Sequence, residues 1–111
     1  MTLEIRFTAG AAEDLERLYD FILTRDTQDI SLGERALHAV YEGIATLRAS
    51  PFTCRKAQPN LPFLRELIIP FGRSGSVALF EIDNSDTVTI LAVRHHLEDD
   101  YHQPSTTKPY A

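Results

Sequence analysis

The chain of 111 residues has one cysteine, two lysines and no long apolar run, and each scarcity excludes something. A lone Cys54 cannot form an internal disulfide, which fits a reducing cytoplasm, and a single thiol in a loop reads as a thiol and not as a nucleophile. No stretch approaches the ~20 apolar residues that span a bilayer, so a membrane protein is excluded. The N-terminus has no basic region followed by an apolar run, so no signal peptide is expected. Cations are short as well. Eleven Lys and Arg face sixteen Asp and Glu, for a net charge of −5. Proteins that live on phosphate contacts draw most of their affinity from a basic excess, so this balance counts against direct nucleic-acid binding and suits a basic protein partner.

What is present is an ordinary globular composition, 43% hydrophobic and 24% charged, at the length of one domain. Leu3, Ile5 and Phe7 alternate with Glu4, Arg6 and Thr8, the period of a half-buried strand. Thr8 then stands where a helix N-cap belongs. From Ala11 to about Arg25 the period turns helical. Ala12, Leu15, Leu18 or Tyr19, and Ile22 form one stripe, with Glu13, Asp14, Glu16, Arg17 and Asp20 facing away as a solvated surface. Ser31 and Glu34 form a capping-box pair that predicts a second helix, with a stripe of Leu37, Val40 or Tyr41, Ile44 and Leu47. Pro51 ends it.

The segment from Pro51 to Pro62, with the basic pair Arg55–Lys56, reads as an irregular connector. Three extended segments follow: Leu64–Phe71, Ser76–Asp83 and Thr87–Val93. They are separated by the turns Gly72–Gly75 and Asn84–Asp86, short enough to force antiparallel neighbours. The predicted fold is α+β in the order β-α-α-β-β-β. An N-terminal strand and a helical hairpin pack on one face of an antiparallel sheet whose last three strands form a meander. Residues 1–102 form the domain, and 103–111 a flexible C-terminal tail.

The stretch Thr87–Tyr101 carries the densest chemistry. It opens as a β-branched strand and ends in Arg94, His95, His96, Glu98–Asp100 and Tyr101. A strand that delivers polar groups to its own end can build a site on a rigid scaffold. Two adjacent histidines in an extended chain point to opposite faces, so only one can serve a given site. Nothing supplies further ligands at a metal-binding spacing, so no metal and no cofactor are expected.

Several patterns in this order resemble the RelE/ParE superfamily of bacterial toxins from type II toxin–antitoxin systems, over about Leu3 to Tyr101. They are Ala11–Ala12–Glu13–Asp14–Leu15 on the first helix, Leu47–Pro51 at the end of the second and Leu64–Leu67. Gly75 opening an apolar strand and Ile90–His95 followed by Tyr101 complete the set. The resemblance implies one of two activities. RelE-like members are metal-independent, ribosome-dependent mRNA endoribonucleases that stabilise a developing phosphorane with cations. ParE-like members, the plasmid stabilisation proteins, bind and inhibit DNA gyrase. Both are neutralised by a cognate antitoxin.

The ribonuclease pattern wants cations where this chain has Val77 and Leu97, and Glu98–Asp100 would repel phosphate within a Debye length of ~8 Å. If the chain were a ribonuclease, His95, Tyr101, Arg65 and Arg94 would carry the chemistry. The favoured expectation is a cytoplasmic ParE-like gyrase inhibitor that is not an enzyme. Arg65, Arg73, Arg94, His95, His96 and Tyr101 would then bind protein partners. A degenerate, non-toxic antitoxin-binding module is the remaining alternative.

Overall fold

The computed structural model describes residues 3–25, 30–71, 75–84 and 86–96. The expected turn at Gly72–Gly75 lies partly, and Arg73, Leu97–Asp100, Tyr101 and the tail 103–111 wholly, outside the described residues. The elements are β1 (Glu4–Phe7), α1 (Ala9–Arg25), α2 (Ile30–Ala45), β2 (Arg55–Lys56), β3 (Leu64–Ile69), β4 (Ser76–Asp83) and β5 (Thr87–His95). Two 3₁₀ turns, Thr46–Arg48 and Pro51–Thr53, lead from α2 toward β2. The class is α+β in the expected order. Among the described residues, no helix is long and apolar enough to cross a membrane.

The five strands form one sheet in the order β1-β5-β4-β3-β2. β3, β4 and β5 make the antiparallel meander that their tight turns dictate. At the β4–β5 turn Asn84 takes φ 55°, a left-handed conformation that Asn tolerates better than most side chains. β1 joins the sheet itself, parallel to β5, with Glu4 opposite Thr87 and Phe7 opposite Ile90, so the sheet is mixed. The Pro51–Pro62 segment is more ordered than its prolines suggest. Arg55 and Lys56 pair with Glu66 and Arg65 as a short edge strand.

Both helices cover one face. Ala11, Leu15 and Leu18 from α1 meet Ala36, Val40 and Ile44 from α2 and Ala78, Phe80, Ile82, Val88, Ile90 and Val93 from the sheet. Each fully buried Leu, Ile, Val or Phe contributes about 1.5–3 kcal/mol relative to exposure. Gly43 lets α2 approach β3, because a Cβ there would sit 3.0 Å from Ile69 Cγ1. Leu64, Leu79, Leu91 and Ala92 form a second buried cluster.

The register contains one irregularity that sets the orientation of the strand end. Leu79 opposes Ala92 but Phe80 opposes Ile90, so Leu91 is an extra residue on β5. A bulge of this kind breaks the two-residue alternation. Val88 and Ile90 pack in the helix-covered core before it, and Val93 does so after it. An unbroken strand would instead have turned Ala92 and Arg94 toward the helices.

Candidate functional site

The first turn of α1 is built onto the edge of β5. Thr8 is the N-cap, as its sequence position indicates: its Oγ1 accepts the Ala11 amide at 3.0 Å. The same hydroxyl donates to the Leu91 carbonyl at 3.2 Å, and the Thr8 amide donates to the Ile90 carbonyl at 3.1 Å. β1 pairing ends at Phe7, and beyond it α1 takes over the edge of β5. The Val93 amide donates to Asp14 Oδ2 at 2.9 Å, and Arg17 Nη2 donates to the Val93 carbonyl at 3.2 Å. Asp14 Oδ1 lies 3.5 Å from Arg17 Nη2. Asp14 is 3% exposed, so its assignment to a solvated helix face is corrected. Three residues past Ile90, where β1 pairing ends, a carboxylate replaces the backbone partner that β5 lacks, and burying it is tolerable because it is paired and hydrogen-bonded. Arg17, likewise placed facing away, is half-buried against the same strand.

The bulge decides what the end of β5 presents. His95 is fully buried, its ring 4.8 Å from Phe21 and stacked at 4.6 Å on His96. His96 is exposed, and its Nδ1 lies 2.8 Å from the Gly75 carbonyl. A carbonyl only accepts, so Nδ1 is the donor in this bond. Arg94 is half-buried opposite Val77, with Nη1 donating to the His95 carbonyl at 3.4 Å. Val77 is itself buried at 3% exposure.

Arg65 stands apart from this group. It pairs with Phe80 on β4, whereas His95 pairs with Ser76 and, through it, with Ile69. Four residues of β3 and two strand spacings separate the two levels, roughly 13 Å along and 10 Å across. The Arg65 guanidinium is committed to main chain: Nε donates to the Pro62 carbonyl at 2.7 Å, and Nη1 to the carbonyls of Cys54 at 2.8 Å and Phe52 at 3.3 Å. The expected residues are thus dispersed. Arg94, His95 and His96 cluster, Arg65 lies further along the sheet on β3, next to the β2 edge, and Arg73 and Tyr101 lie outside the described residues.

A feature that the strand-end focus passed over lies on the helices. Phe7, Ala12, Leu15, Tyr19, Leu37 and Tyr41 line an open groove of about 570 Å³, with Glu16 and Asp20 on its wall. Phe7 and Tyr41 are 40% and 47% exposed, their rings 6.5 Å apart and tilted by 60°. The signal was the double stripe on each helix. Leu18 and Val40 entered the core, while Tyr19 and Tyr41 turned to the groove. An apolar stripe too wide for one packing face leaves a second one to be covered.

Comparison with known proteins bears on most of the chain. The family profile described as "ParE toxin of type II toxin-antitoxin system, parDE" matches residues 5–100. No curated protein matches the chain by sequence. Among solved structures, a chain of the "Chromosomal ParDE TA system from P. aeruginosa" superposes with a TM-score of 0.65 at 19% identity, covering 85% of this chain and 96% of the other. At that identity the likeness concerns the fold.

Proposed function

The chain belongs to the ParE toxin family, and from that premise we propose that it is a toxin that inhibits DNA gyrase and is neutralised by a cognate antitoxin seated in the α1–α2 groove. The observation that carries the antitoxin half is the groove itself: apolar along its floor, bounded by two exposed aromatic rings, with acids on one wall. An amphipathic helix with apolar residues at i, i+3/i+4 and i+7 and basic residues on its flank has the complementary chemistry. Exposed aromatics at the mouth of a groove are the side chains that most often dominate such interfaces.

The gyrase half rests on family membership and on the placing of the cations among the described residues. Val77 is buried beside Arg94, and Arg65 is held by three carbonyls far from the histidines. The strand end is then a protein-recognition surface. Arg94 and His96 offer polar groups, and the His95 ring stacks on that of His96. Arg65 acts by holding the Phe52–Pro62 loop. The protein works in the cytoplasm, where gyrase and antitoxin are found, and needs no cofactor.

The purified chain is expected to inhibit gyrase supercoiling of relaxed plasmid and to leave cell-free translation untouched, and addition of antitoxin restores supercoiling. Arrest of translation with cleavage of mRNA on ribosomes, and with gyrase unaffected, would replace this reading with the ribonuclease. Failure of the chain to affect either system would reduce it to an antitoxin-binding module.

A further inference from the structure

The edge of the sheet farthest from β1 carries a second exposed patch of different character. Phe52 and Phe63 are 55% and 53% exposed, their rings edge-on at 5.9 Å. They are not loosely placed. Arg65 sits 5.2 Å from the Phe52 ring centre and hydrogen-bonds the carbonyls of Phe52, Cys54 and Pro62, which pins the chain on both sides of the pair. Two large aromatics held open to solvent by a buttressing guanidinium form a pre-ordered contact surface, which loses little side-chain freedom on binding.

The segment that carries the pair is basic, unlike the whole chain, with Glu66 facing Arg55 from the neighbouring strand. Residues 43–65 contain Arg48, Arg55, Lys56 and Arg65 and no acid, in a chain of net charge −5. Arg55 and Lys56 form the edge strand β2 next to the aromatics, with the Arg55 side chain 57% exposed and Lys56 exposed. We infer that the Phe52–Phe63 pair with Arg55 and Lys56 is a docking surface for an acidic polypeptide segment.

Charge complementarity chooses the acid, and the number of available cations chooses polypeptide over nucleic acid. Arg65 is committed to main-chain carbonyls, and Arg55 is 2.9 Å from Glu66. Few cations remain for phosphate, against the ~6–10 contacts on which nucleic-acid affinity usually rests. The surface is distinct from the groove, because β1 and β2 are opposite edges of a five-stranded sheet, four strand spacings or roughly 19 Å apart. Both surfaces can be occupied at once.

The test is an NMR titration of the full ¹⁵N-labelled chain with three probes: a twelve-residue peptide alternating Glu and Val, its Lys–Val counterpart, and a thymidine dodecanucleotide. The Glu–Val peptide is expected to shift the amides around Phe52, Lys56 and Phe63 and to leave those of Ala12, Tyr19 and Tyr41 in place. The Lys–Val peptide is expected not to bind. In the folded K56E/F63S variant, Glu–Val affinity falls at least about tenfold. Absence of shifts at this edge up to millimolar peptide, equal affinity in the variant, or tighter binding of the oligonucleotide overturns the inference. None of these readouts depends on toxicity or on the antitoxin, so the gyrase reading and this one fail separately.

Discussion

The Asp14 carboxylate accepts the Val93 amide at 2.9 Å across 79 residues of sequence, and this bond fastens α1 to the edge of β5 just past the bulge. It explains why an acid sits in the Ala11–Leu15 motif. Ala11 is buried to let the helix approach, and Asp14 supplies the acceptor that the end of β1 leaves missing.

Removing that acceptor should cost stability and not recognition. Asp14→Ala leaves the buried Val93 amide without this acceptor, a loss of about 1.5–3 kcal/mol for a hydrogen bond to a charged group. For a domain of this size that is a fall in Tm of roughly 6–20 °C, read by thermal unfolding. Asp14→Asn keeps an acceptor oxygen and should lose less. Equal Tm in wild type and Asp14→Ala would show that the bond contributes nothing.

The groove separates neutralisation from toxicity. Ala12→Arg places a long cation on an exposed position of the groove lining. Antitoxin affinity measured by calorimetry should fall at least about tenfold, with Tm nearly unchanged. Growth arrest should persist and resist rescue by the antitoxin. Full rescue of this variant would move the antitoxin elsewhere.

His95 is fully buried and packs against Phe21 and His96. His95→Ala should destabilise by about 3 kcal/mol, as large-to-small core changes do. His95→Phe keeps an aromatic ring on Phe21 and should retain growth arrest. A folded but inactive Phe variant would instead assign His95 a proton-transfer or hydrogen-bonding role.

Cys54 offers a pH test. Partial burial raises its thiol above the ordinary value near 9.0, outweighing the nearby Arg65 charge and a Thr53 hydrogen bond that pull the other way. The neutral thiol is thus favoured in the fold. Its contribution to stability is complete below the unfolded thiol pKa and is lost as pH rises through the folded one. At pH 8 to 9, iodoacetamide should alkylate native Cys54 more slowly than the urea-unfolded chain, since the thiolate is the nucleophile. Equal rates would contradict the raised value.

The strand end shows where sequence reading stopped. Alternation put the two adjacent histidines on opposite faces, but their rings stack at 4.6 Å, because β5 ends at His95 and the two-residue period does not extend to His96. The face taken by His95 depended on Leu91, an extra residue visible only when β5 is laid against β4. The Tyr19 and Tyr41 positions were legible as second choices on their stripes, but each stripe is compatible with either rotation of its helix. Arg65 reads as a free cation in sequence, because its three carbonyl partners come from a loop whose path is set by the β2–β3 pairing.

The sequence by itself determined the α+β class, the order of strands and helices, the Thr8 cap and the β3–β4–β5 meander. These follow from hydrophobic period, caps and turn lengths, all properties of neighbouring residues. Tertiary structure alone decided the parallel pairing of β1 with β5, the burial of Asp14 and the face taken by His95. It alone also left the groove and the Phe52–Phe63 edge exposed. Each of these depends on a partner tens of residues away, whose identity is set by how the whole sheet packs and not by any local pattern.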